Sequence, residues 1–81
     1  MTPKQIIYTA HAKQRLKGRN IRRQEIRWLL ARGIREPMEL PYHAIRGHVG
    51  KDEIRVIYTE SSTDILVVTV MWITKRHQEE G

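Results

Sequence analysis

The sequence lacks cysteine and phenylalanine altogether, and its 81 residues include only three prolines. Without cysteine there is no disulfide framework and no thiolate metal site, which fits a reducing cytosol. The opening Met1-Thr2-Pro3-Lys4-Gln5 has no apolar signal-peptide core. Long hydrophobic runs are missing too. The longest, Ile65 to Val68, is far too short to span a bilayer. A soluble, cytoplasmic protein with no membrane partner is the expectation. There is no Gly-rich phosphate loop, no nucleophile elbow and no paired carboxylate motif, which argues against a dinucleotide- or nucleoside-triphosphate-dependent enzyme. His43 and His48 stand five apart with no acidic residue between them, and His11 and His77 are isolated. No spacing matches a zinc or two-metal motif, so neither metal nor cofactor is expected.

Acidic residues are scarce in one half only. Residues 1–36 hold ten cations against Glu25 and Glu36, a balance of +8, whereas residues 37–81 carry five cations and seven anions, a balance of −2. A field this lopsided suits a phosphate polymer or an acidic protein. A solvated basic face with no partner is the competing explanation.

A chain of this length forms one domain, 1–81, with its core over about residues 5–74 and a polar tail at 75–81. So small a domain leaves much surface exposed, which makes a homodimer or a stable protein partner plausible. Gln5–Tyr8 reads as a short first strand. Thr9 offers an N-cap for a helix through about Arg19, closed by Asn20 in the left-handed conformation. A second helix follows over about Arg22–Arg32, with Glu25 at the capping-box position and Ile26, Leu29, Leu30 and Gly33 as its core stripe. Arg35 to Pro41 reads as a connection. Strands are expected over Tyr42–Val49, Glu53–Thr59 and Ile65–Ile73. The last alternates with apolar residues on both faces, Ile65, Val67, Met71 and Ile73 against Leu66, Val68, Val70 and Trp72, so it is placed centrally and covered on both sides. The fold class is α+β: two N-terminal helices on an antiparallel sheet of three to four strands, in the order β-α-α-β-β-β.

His11, Arg15 and Arg19 recur at i, i+4 and i+8, an almost axial stripe at the border of the Ala12/Leu16 core face. Cations on a rigid element suit a phosphate, and a neutral histidine beside them can take the proton of a ribose 2′-hydroxyl. Trp28 lies away from the second helix's core stripe, between Arg27 and Arg32, which suggests a protein interface or a stacked base. His43, Arg46, His48 and Arg55 form a looser set on the middle strands, and Arg46 and Arg55 are candidates to reach the same phosphate. Ordinary capping, packing and solvated surface roles compete for each of these residues.

The run His11-Ala12-Lys13-Gln14-Arg15-Leu16, then Arg19-Asn20-Ile21, then Glu25-Ile26 and Leu29, resembles the opening of a small family of bacterial, archaeal and phage proteins. Its signature reads His-Ala-x-x-Arg-Φ-x-x-Arg-Gly-Ile (Φ is apolar), and its members tend to end in a strand like Val67–Trp72. That family is placed near RelE- and BrnT-like toxins, whose fold is two helices on an antiparallel sheet. The resemblance implies RNA binding or cleavage, regulated by an antitoxin that covers a basic groove. His11, Arg15 and Arg19 match the signature; Asn20 stands where glycine is usual, and the second helix is more basic than in relatives. The reading that follows is a metal-independent endoribonuclease. His11, Arg15 and Arg55 are its catalytic residues, and Arg19, Arg46, His43, Trp28, Arg27 and Arg32 bind RNA. A non-catalytic nucleic-acid-binding module and a protein-interaction domain are the alternatives.

Overall fold

A computed structural model of the chain describes residues 4–73. The polar tail expected at 75–81, and His77 with it, lies outside the described residues. Strand β1 (Gln5–Tyr8) leads into helices α1 (Ala10–Arg19) and α2 (Arg23–Arg32), followed by β2 (Ile34–Glu36), β3 (His43–Val49), β4 (Asp52–Glu60) and β5 (Asp64–Trp72). The strands form one sheet in the order β1-β5-β4-β3-β2. β1 pairs with β5 in parallel, and the remaining pairs are antiparallel.

This corrects the expected antiparallel sheet of three to four strands: the sheet has five strands and is mixed. The extra strand, β2, falls in the stretch read as a connection. It is three residues long, too short for alternation to show, and it exists because Ile34, Arg35 and Glu36 come into register with Arg46, Ile45 and Ala44. β4 occupies the middle of the sheet, not β5. β1 and β2 are the two edges, so the α1–α2 pair carries the chain across one face from edge to edge. That crossing puts both helices on the same side, and among the described residues no helix covers the other.

Thr9 anchors the crossing. Its hydroxyl accepts from the Ala12 N–H at 3.0 Å, capping α1, and donates to the Val68 carbonyl at 2.8 Å. Val68 is the extra residue of a β-bulge: Ile57 faces Thr69 and Tyr58 faces Val67, so one residue of β5 is skipped. The bulge changes the faces of β5. Ile65, Val67, Val70 and Trp72 all join the core under the helices, whereas strict alternation put Val70 and Trp72 opposite Val67. Asn20 closes α1 at φ 58°, ψ 40°, the left-handed conformation its short amide side chain tolerates. At α2 the Glu25 carboxylate accepts from the Arg22 N–H at 2.8 Å.

The core lies between the helices and one sheet face. Ala12, Leu16, Ile21, Ile26 and Leu29 pack there on Tyr8, Ile45, Ile54, Val56, Tyr58, Val67 and Val70. Helix α2 sits close over β3 because Gly33 and Gly47 lack side chains. A β-carbon at Gly33 would lie 2.7 Å from the Leu29 carbonyl oxygen and 2.9 Å from that of Arg46, and one at Gly47 would run into the Leu29 side chain. By alternation, Ile7, Ala44, Arg46, Glu53, Arg55, Ile57 and Met71 belong to the open face. Among the described residues no helix is long and apolar enough to cross a membrane.

Candidate functional site

The two helices, with the Arg22 that caps α2, expose Lys13, Arg15, Lys17, Arg19, Arg22, Arg23, Arg27 and Arg32. None of the eight forms an ion pair among the described residues. The one carboxylate on either helix, Glu25, is turned onto the Arg22 N–H. Two of the cations rest on rings: the Arg19 guanidinium stands 5.4 Å from the Trp72 ring centroid and that of Arg23 5.1 Å from Tyr8. The Tyr8 hydroxyl is pushed up by burial, and the nearby charges of Arg23 and Arg27 pull it partly back.

Helix α1 divides these cations between two flanks. His11 and Arg15 follow the line that ends at Arg19 and Trp72. Lys13 and Lys17 occupy the other flank and meet Arg23 at a cavity of about 290 Å³ floored by Leu16 and Ile21. His11 is exposed in the first turn of α1, one turn before Arg15. Trp28 is 54% exposed beside Glu25, His48, Val49 and Gly50, as expected for a residue off the core stripe.

Arg46 and Arg55 lie on the opposite side of the sheet. They are direct cross-strand partners on β3 and β4. Like charges in that register repel, and two carboxylates relieve them. Glu36 of β2 accepts from Arg55 Nε at 2.6 Å through Oε1, and its Oε2 lies 3.1 Å from Arg46 Nε. Arg46 Nη1 donates to Glu53 Oε2 at 2.6 Å. Arg46 Nε is buried, and among the described residues the 3.1 Å approach of Glu36 Oε2 is its ion-pair contact without a well-formed hydrogen bond. The hydrogen bond from Arg55, followed by the charges of both arginines, holds the Glu36 carboxyl below the usual carboxylate range. Glu53, and then Glu36, raises Arg46 in turn. Beside this chain of charges is a second cavity of about 290 Å³, lined by Glu36, Pro37, Met38, Ala44, Arg55, Ile57 and Met71.

The structure therefore does not gather His11, Arg15, Arg46 and Arg55 into one groove: the first pair is on the helical side, the second on the open side. His43 is half-buried on the helical side and stacks on Tyr58 at 5.3 Å between ring centroids. No group of three or more histidines or carboxylates is placed to hold a metal ion among the described residues.

Residues 8–72 match a family described as a domain of unknown function, DUF4258. The chain belongs to this family. The DUF4258 match spans both helices, β2 and the whole Glu36–Arg46–Arg55 cluster, and leaves out all of β1 but Tyr8. No curated protein and no solved structure matches the chain. The match carries the family alone and no link to RelE- or BrnT-like toxins.

Sequence reasoning missed Glu36 and Glu53, which fix the arginines of the open face. It also missed Lys13, Lys17 and Arg23 as a convergent set. For Glu36 one signal was present: with Glu25 it is one of only two acidic residues in the first 36. Two arginines on adjacent strands call for a counter-charge, but only the register of β2 shows which one.

Proposed function

We propose that this protein binds RNA through the phosphate backbone, with the helical layer as its contact surface. One observation carries the reading: eight exposed cations, seven on the two helices and Arg22 at the cap between them, have no carboxylate partner among the described residues. Such a surface costs the fold self-repulsion, and a polyanion offsets that cost by releasing counterions. Trp28, exposed between Arg27 and Arg32, adds a ring on which a base can stack.

Filter binding of single-stranded RNA across a salt series tests this. Affinity should fall steeply with salt, by roughly 0.7 in the log–log slope for each phosphate contact. A flat salt response sinks the reading.

The finer reading is RNA cleavage without a metal, of the kind the resemblance to RelE- and BrnT-like toxins implies. A separate observation favours it: Arg55 lines a cavity on the open face and, among the described residues, spends only its Nε, on Glu36. His11 and Arg15 belong to the binding surface in this scheme, because the sheet stands between them and Arg55.

A further inference from the structure

Arg55 has five N–H donors, and one of them is used within the protein among the described residues. The two terminal nitrogens are left for a ligand, and a guanidinium fork matches a phosphate. The cavity that Arg55 lines is otherwise mostly apolar, with Met38, Ala44, Ile57 and Met71 on its walls. A sugar or base fits such walls, while the phosphate takes the polar end.

Glu36 stands at that polar end. Its Oε1 shares a 2.6 Å hydrogen bond with Arg55 Nε, so the carboxylate and the guanidinium are fixed relative to one another. Behind them Arg46 is clamped to Glu53 and keeps a buried Nε unsatisfied against Glu36. The edge position of β2 gives access. Arg32 ends α2 and Arg35 follows on β2, both exposed, so cations lead from the helical layer to the strand that carries Glu36.

We propose that Glu36 and Arg55 form a phosphodiester-cleaving centre on the open sheet face, with Glu36 as the base towards a ribose 2′-hydroxyl. The proposal rests on RNA being the ligand. The 2′-hydroxyl proton passes to a Glu36 oxygen as the O2′–P bond forms. The P–O5′ bond breaks, and O5′ takes a proton from water. The hydroxide left behind collects the proton held by Glu36. The products are a 2′,3′-cyclic phosphate and a 5′-hydroxyl, and the carboxylate is restored. Arg55 holds the non-bridging oxygens and stabilises the charge that grows on them. In the free protein two guanidiniums keep Glu36 ionised but weakly basic. A phosphate that engages Arg55 adds negative charge and draws off positive charge, which raises the proton affinity of Glu36 when the substrate is in place.

The test is single-turnover cleavage of a labelled RNA in EDTA, run beside filter binding, for the parent and for Glu36→Gln. The parent should yield 2′,3′-cyclic phosphate ends. Glu36→Gln should lose about 10²–10⁴-fold in rate, the usual worth of a general base, while binding RNA within a few-fold of the parent. Thermal melting checks that the variant is folded at the assay temperature. If it is not, the parent's pH–rate profile decides. Read with RNA well below saturation, so that the limb reports the free protein, Glu36 as base gives an acidic limb in or below the carboxylate range, whereas a limb near about 6.5 assigns the proton to a histidine and overturns the proposal. Binding without cleavage, or undiminished cleavage by Glu36→Gln, overturns the proposal and leaves the RNA reading standing. Absence of RNA binding by the parent removes that reading and the proposal with it.

Discussion

The two sides of this sheet treat charge in opposite ways. On the helical side eight cations face solvent, and the single carboxylate is spent on a backbone N–H. On the open side Arg46 and Arg55 are held in a chain with Glu36 and Glu53. The open-side pairing follows from register, because two arginines set directly across a ladder need counter-charges. The fold uses only part of the helical charge: Arg19 and Arg23 rest on the Trp72 and Tyr8 rings, and Lys17, Arg19 and Arg32 stand in last helical turns. The eight neutralise no acid among the described residues, and the proposed RNA contact rests on that. The net charge of the chain is therefore concentrated on the helical side, while the four charges of the open-side chain cancel.

The most direct way to break this comparison is to detach one side from the other. Leu29 is fully buried and sits where α2 meets Gly33 and Gly47. Leu29→Ala should cost about 2–5 kcal/mol, the range for a truncated core leucine. Urea denaturation followed by far-ultraviolet circular dichroism measures it. Total stability for so small a domain is about 5 kcal/mol, so this variant should be partly unfolded at 37 °C. A loss below 1 kcal/mol would mean that the helices are not seated on β3 as described.

A second change leaves the fold intact and addresses charge alone. Replacing Lys13, Arg15, Lys17 and Arg27 by glutamine should weaken RNA binding by about two orders of magnitude at low salt. It should flatten the log–log salt slope by about 3, at ~0.7 per single-stranded phosphate contact. Thermal stability should hold or rise, since like charges are being removed. If affinity and slope are unchanged, the helical side is a solvated face, and the contrast between the two sides has no functional content.

The fold was legible where a local rule decides it. Thr9 as N-cap, Asn20 as left-handed terminator and the Ile26/Leu29 stripe each follow from a residue and its near neighbours, and each stands where expected. What depends on register was not legible. β2 is a strand only because β3 lies beside it. The bulge at Val68 hides inside an unbroken apolar run, and it alone decides that Val70 and Trp72 face the helices. The site divides in the same way. The basic stripe on α1 is visible as spacing, but its separation from Arg46 and Arg55 by the thickness of a sheet is a tertiary fact, and so is the role of Glu36.

Thr9 gives a smaller effect that sharpens the same point, because it ties the start of the helical layer to the bulge. Thr9→Ala removes the α1 cap and the hydrogen bond to Val68. The expected loss is about 1–2 kcal/mol. Thr9→Ser keeps both bonds and should recover most of it. If serine fails to rescue, the methyl group and not the hydroxyl matters.

The smallest effect separates the paired charges from the unpaired ones by titration. Glu36 and Glu60 both have folded pKa values lowered from 4.5, Glu36 chiefly by its hydrogen bond from Arg55 and Glu60 chiefly by the one from Lys4. A depressed carboxyl binds its proton more weakly in the folded state, so these pairs contribute fully above the unfolded value of 4.5. That contribution disappears as pH falls through the folded values below it. The melting temperature should hold level from neutral pH down to about 5 and decline beneath that. The double variant Glu36→Gln/Glu60→Gln should start lower at neutral pH and decline less steeply in acid. The glutamine variant of the helical cations should keep the parent's acid slope, because no carboxylate is paired with those residues among the described ones. An acid slope that changes with the helical variant and not with the glutamate variant would mean that carboxylates pair with the helical cations, against the contrast between the two sides.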